Sequence, residues 1–147
     1  MAAERRAEVT WRGDLMSGAG TIDRVGSGAF GPLDVTWTSR TEEPQGRTSP
    51  EELIAAAHAA CFSMAFSNIL AKAGNPPEQL NTSATVTFVP GTGITKSVLE
   101  VDAVVPGIDD QAFQEAADEA RDGCPVSGAL KGNVELSVKA RLATSVH

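Results

Sequence analysis

Basic residues are scarce in this sequence: 12 Lys and Arg stand against 19 Asp and Glu, a formal net charge of -7 over 147 residues. Proteins that neutralise phosphates carry a basic face, so no nucleic-acid partner is expected. No secretory leader is expected either. Met1-Ala2-Ala3-Glu4-Arg5-Arg6 is followed by Glu8, Arg12 and Asp14, which does not read as a secretory signal, and a cytoplasmic protein is the expectation. Cysteine and histidine number only two each, and His58, Cys61, Cys124 and His147 lack the short paired spacings of structural zinc sites. No metal is expected. The longest apolar run, Leu53 to Ala71, approaches a membrane span in length. It includes His58, Ser63, Ser67 and Asn68 and much alanine, which favours a buried soluble helix and no membrane partner. Repeats and linkers are absent, so residues 1–147 are expected to form a single domain with its own core.

What is present suggests an α+β chain. From Ala7 to Val35 short apolar stretches alternate with glycine clusters, the pattern of a meander of two or three antiparallel strands. Val35-Thr36-Trp37-Thr38-Ser39-Arg40, rich in β-branched and aromatic residues, predicts another strand, broken by Glu42-Glu43-Pro44-Gln45-Gly46. Ser49 before Pro50-Glu51-Glu52 is an N-cap signal. From Leu53 to Ala71 apolar residues occupy nearly the whole circumference, so this helix is expected to be covered on all sides and to end at Gly74-Asn75-Pro76-Pro77. Thr82 to Val89 and Ile94 to Val105 predict a hairpin around Pro90-Gly91-Thr92-Gly93, and Gly91 to Ser97 lacks the glycines of a phosphate loop. A helix is predicted over Asp109 to Arg121, with Gly123 as a left-handed cap and Cys124 at a helix–helix corner. Val134 to Leu142 alternates apolar and polar residues, as a strand with one buried face does.

In a reducing compartment a lasting structural disulfide is uncommon, whereas a catalytic or redox-sensing cysteine pair is not. Cys61, amid Ala59-Ala60 and Phe62, reads first as a small core hydrophobe. An apolar helix raises a thiol's pKa, so a reactive Cys61 needs a cation nearby. Arg40 is one candidate, with Glu51 able to orient its planar fork; Arg12, Arg24 and Arg47 are rivals. On one straight helix Glu51 and Cys61 stand about 15 Å apart, so either the helix breaks near Ala55 to Ala57 or a partner subunit supplies a group. His58, three residues before Cys61, invites a Cys–His dyad, though a buried histidine satisfied by a neighbour is the plainer reading. His147 is expected to be loose.

The run Pro50-Glu51-Glu52-Leu53-Ile54-Ala55-Ala56-Ala57-His58-Ala59-Ala60-Cys61-Phe62-Ser63-Met64-Ala65 resembles the osmotically inducible OsmC branch of the OsmC/Ohr family. So do Val105-Pro106-Gly107-Ile108-Asp109 and Gly123-Cys124-Pro125-Val126-Ser127, with Trp11-Arg12-Gly13-Asp14 and Thr38-Ser39-Arg40 extending the likeness over nearly the whole chain. The resemblance implies antiparallel sheets wrapped around the long central helices of an intertwined homodimer. It also implies a thiol peroxidase for organic or lipid hydroperoxides, with Cys61 as the reactive thiolate, Cys124 as the resolving cysteine and Arg40 with Glu51 in support. The Ohr branch takes its arginine from nearer the N-terminus, which leaves Arg24 as the alternative to Arg40.

On that reading Cys61 thiolate attacks the peroxide, and its sulfenic acid condenses with Cys124 without metal, haem or other cofactor. A small dithiol or a lipoylated protein would reduce the disulfide. Phe30, Trp37, Phe62, Phe66 and Phe113 could line an apolar pocket or simply pack the core. Two other classes stay open: a Cys61–His58 acyl-transfer enzyme and a non-catalytic redox switch.

Overall fold

The computed structural model describes residues 2–143, so His147 lies outside the described residues. The chain divides into two compact units, Met1–Leu53 and Ile54–His147. In the first, β1 (Ala7–Arg12), β2 (Ala19–Val25) and β3 (Leu33–Val35) form the expected antiparallel meander in sheet order β1-β2-β3. Gly20 lies directly under Trp11: a Cβ there would stand 2.5 Å from the ring, so the strand pair needs glycine at this crossing.

The predicted strand from Val35 to Arg40 stops at Val35 and becomes a short helix, α1 (Trp37–Thr41). Local capping overrides strand propensity here. Thr36 Oγ1 accepts the Ser39 N–H (3.0 Å) while Ser39 Oγ accepts the Thr36 N–H (2.9 Å), a reciprocal capping box. Ser39 Oγ also donates to the Thr48 carbonyl (3.0 Å), and the Thr48 N–H donates to the Asp34 carbonyl (3.0 Å). These bonds fasten α1 beside the start of α2 (Pro50–Lys72).

Ser49 caps α2 as expected, its hydroxyl accepting the Glu52 N–H (3.2 Å). The helix ends in a Schellman turn: Gly74 takes φ +89, its N–H donates to the Ala71 carbonyl, and the Asn75 N–H donates to the Leu70 carbonyl. No break occurs near Ala55 to Ala57; α2 is continuous over 23 residues. It is long and apolar enough to cross a membrane, by length and composition alone. Its burial has a single stripe, His58, Phe62, Phe66 and Leu70, each at 0% exposure. The expected cover on all sides is not supplied by the described residues, because one sheet and one helix can shield only one face. Ala56, Ala57, Ala60 and Met64 remain exposed, Met64 at 74%.

That stripe packs in the core of the second unit with Leu99, Val101 and Ala103 of β5 and Phe113 of α3. The Phe62, Phe66 and Phe113 rings stack in series at centroid distances of 5.3 and 5.4 Å, and burying each stabilises the fold by roughly 1.5–3 kcal/mol. β4 (Gln79–Val89) and β5 (Gly93–Val104) form the predicted hairpin, but β6 (Glu135–Ala143) lies parallel to β5. The second sheet is therefore mixed rather than wholly antiparallel, since a helical crossover returns the chain to the end from which β5 began. That crossover holds α3 (Asp110–Gly123), capped by Asp109 on the Ala112 N–H (2.8 Å), and α4 (Pro125–Leu130). Gly123 is not the left-handed cap anticipated; it is the last helical residue. The chain turns at Cys124 (φ -70, ψ 140), extended because the residue before a proline is driven out of the helical region.

Candidate active site

Cys61 and Cys124 come together in the second unit, both as free thiols. Cys61 is half-buried on α2, and Cys124, 1% exposed, is at once the C-cap of α3 and the N-cap of α4, the expected corner. Burial pushes the Cys61 thiol pKa up. The Val126 backbone N–H, bonded to Cys61, works the other way, while a hydrogen bond with the Cys124 side chain and its charge raise the pKa further. The pair therefore has the contact needed for exchange between sulfurs, and among the described residues the balance of these influences favours the thiol over the thiolate.

His58 is wholly buried, and its ring nitrogens face hydroxyls, Nδ1 at 2.6 Å from Ser97 Oγ and Nε2 at 2.8 Å from Ser127 Oγ. The reading of His58 as a satisfied core histidine holds, and burial keeps its pKa below the ordinary value. Ser127 Oγ is in turn 3.1 Å from Cys124 Sγ, which also accepts the Ser127 N–H (3.3 Å). Ser97 and Ser127 were not singled out from the sequence. The available signal was the histidine itself, since a buried imidazole requires two polar partners.

In the first unit the capping box of α1 and the start of α2 hold Arg40 against Glu51. The contact is bidentate: Nε reaches both carboxylate oxygens (3.0 and 3.2 Å) and Nη2 donates to Oε2 (2.8 Å). Glu51 is buried at 6% exposure, and the guanidinium lies 5.9 Å from the Trp37 ring centroid. The rival Arg24 is a surface residue paired with Glu8 (2.9 Å), which also takes Arg6; Arg12 and Arg47 are exposed. Of the five suggested pocket aromatics, Phe62, Phe66 and Phe113 are core packing, Trp37 sits on α1, and Phe30 borders a groove with Arg5, Val25 and Ser27.

The family model described as OsmC-like protein matches residues 42–139, a span that contains both cysteines and Glu51. Peroxiredoxin OsmC of Escherichia coli (strain K12) is 40% identical over 139 residues, covering 92% of this chain and 96% of that protein. The chain belongs to the OsmC family. An organic hydroperoxide resistance protein of Xanthomonas axonopodis pv. citri (strain 306) is 37% identical to this OsmC-family chain over 95 residues, 62% of this chain and 65% of its own length. The crystal structure of an organic hydroperoxide resistance protein OsmC from Legionella pneumophila gives a TM-score of 0.64 at 23% identity, over 92% of this chain and 96% of that one. That likeness is one of fold, and it agrees with the α+β architecture expected of an OsmC-like chain.

Proposed function

We propose that this protein is a cysteine-based peroxidase that reduces organic hydroperoxides to alcohols. The observation that carries the reading is the contact of a half-buried Cys61 with a buried Cys124, two free thiols in a chain 40% identical to a protein named peroxiredoxin OsmC. Cys61 thiolate attacks the distal peroxide oxygen, the O–O bond breaks, and the alkoxide leaves as alcohol, giving Cys61 sulfenic acid. Cys124 condenses with it to a disulfide, which a small dithiol or a lipoylated protein reduces by exchange. No cofactor takes part. The whole chain, residues 1–147, acts as one OsmC-like domain in a reducing cytoplasm.

The cation that holds the thiolate is Arg40, oriented by Glu51 and supplied by the partner subunit of a homodimer. Two observations support this: α2 is unbroken, which leaves about 15 Å along the helix between Glu51 and Cys61, and its alanine-rich face with Met64 is exposed in the single chain. Nothing favours a Cys61–His58 acyl-transfer site, because both ring nitrogens of His58 are engaged by serine hydroxyls.

The test treats reduced protein with one equivalent of cumene hydroperoxide, then counts thiols and measures intact mass in wild type and Cys124→Ser. A Cys61–Cys124 disulfide in wild type and a trapped sulfenic acid in the variant are expected. Two unreacted thiols in wild type sink the proposal. Continued peroxide consumption with dihydrolipoamide separates a peroxidase from a switch, which stops after one equivalent.

A further inference from the structure

His58 has no part in the chemistry above, yet it is the largest fully buried polar side chain among the described residues. A hydrophobe there would avoid the desolvation that an imidazole suffers. Instead a continuous line of hydrogen-bonding atoms runs from Ser97 Oγ through both nitrogens of His58 to Ser127 Oγ and ends on Cys124 Sγ, with steps of 2.6, 2.8 and 3.1 Å. All four residues are at most 1% exposed, so water does not compete for the hydrogen bonds along this line. Thiol and hydroxyl can each donate and accept, so every link can pass a proton on.

We propose that His58, acting through the Ser127 hydroxyl, receives the proton of Cys124 when that thiol resolves the Cys61 sulfenic acid, while Ser97 fixes the imidazole tautomer. The inference rests on the peroxidase reading. With its proton on Nδ1 donated to Ser97 Oγ, His58 presents the Nε2 lone pair to the Ser127 O–H, and Ser127 Oγ accepts from the Cys124 S–H. As the S–S bond forms, the S–O bond of the sulfenic acid breaks; the Cys124 sulfur is oxidised and the Cys61 sulfur reduced. The thiol proton moves to Ser127 Oγ while Ser127 passes its own to Nε2. The departing hydroxide takes that proton back through Ser127, giving water and a neutral imidazole.

Of the three relay residues Ser127 touches the reacting thiol, and His58 and Ser97 are positioning residues. Among the described residues, the titratable groups facing this line are His58 and Cys61 from α2 and Cys124 itself. β5 contributes Ser97, the inward residues of α3 are Phe113, Ala116, Ala117 and Ala120, and α4 carries no charged residue. Burial keeps the imidazole neutral at physiological pH and lets it surrender the proton readily.

The experiment times disulfide formation from sulfenic acid already present, by rapid quench and intact mass, in full-length wild type, Ser127→Ala, Ser127→Thr and His58→Gln. Ser127→Ala and His58→Gln are expected to slow this step about 100-fold at neutral pH, as loss of a positioned base does. Their rates should recover in alkaline buffer, Ser127→Thr should stay near wild type, and the double variant should be no slower than either single one. A wild-type rate in Ser127→Ala or His58→Gln overturns the relay, and so does a loss that persists unchanged at alkaline pH. The relay is also read without peroxide by loading Cys61 as its thionitrobenzoate mixed disulfide and following release of the thiolate as Cys124 attacks. The same slowing and the same alkaline recovery are expected there. If that release depends on Ser127 and His58 but wild type forms no sulfenic acid, the peroxidase reading fails and the relay stands; unimpaired release in the variants overturns the relay.

Discussion

Ionising Cys61 is opposed by its surroundings within one chain. Among the described residues burial disfavours the thiolate, the Val126 N–H works against that, and Cys124 adds to the opposition through its hydrogen bond and its charge. A raised pKa means that the thiol form persists to higher pH than in an ordinary cysteine, and reactivity climbs as the pH rises through the midpoint. Serine at position 124 can still cap α4 but does not ionise in this range. Cys124→Ser is therefore expected to move the pH midpoint of Cys61 alkylation by iodoacetamide downward, measured by mass across a pH series. A midpoint that stays put or rises would show that the two sulfurs do not titrate together. The Cys61–Cys124 and Arg40–Glu51 contacts were expected from the sequence because each residue lies in a short run of characteristic residues. Ser97 and Ser127 were not, because they stand 39 and 69 positions from His58 and meet it only once β5, α2 and α4 have packed.

Elements whose pattern was periodic were equally legible: the meander, the long helix, the β4–β5 hairpin and the amphipathic α3 fell where apolar spacing indicated. α1 did not, since Val35-Thr36-Trp37-Thr38 has strand-forming side chains and only the reciprocal bonds of Thr36 and Ser39 turn it into a helix. The direction of β6 was also hidden, because alternation reveals a buried face and not the sense of the chain. Two of the side-chain caps, Thr36 and Asp109, separate stability from function. Thr36→Ala and Asp109→Ala should each lower unfolding free energy by about 1 kcal/mol in urea titrations. Only Thr36→Ala loosens the helix that carries Arg40, so it alone should reduce peroxidase kcat/KM, by about tenfold or more as displaced positioning groups do. Equal loss of activity in both variants would detach α1 from the chemistry.

At the scale of the molecule, α2 shows one stripe to its own chain and leaves Ala56, Ala57, Ala60 and Met64 exposed. An apolar helix with one face uncovered is the element through which a second copy completes the fold in the proposed homodimer. If the partner subunit supplies Arg40, each active site draws on both chains, and two inactive variants can repair one another. Cys61→Ser homodimers lack the nucleophile, and Arg40→Met homodimers lack the cation that holds the thiolate. After unfolding and refolding at equal concentration, about half of the dimers should be mixed, and each of these has one complete site of two. The mixture should then recover about one quarter of the wild-type peroxidase activity per chain, whereas either variant refolded alone recovers none. No recovery on mixing would mean that Arg40 serves the Cys61 of its own chain. Full activity in Arg40→Met alone would remove the arginine from the mechanism altogether, and would leave the buried Glu51 pairing as a support for α1 and nothing more.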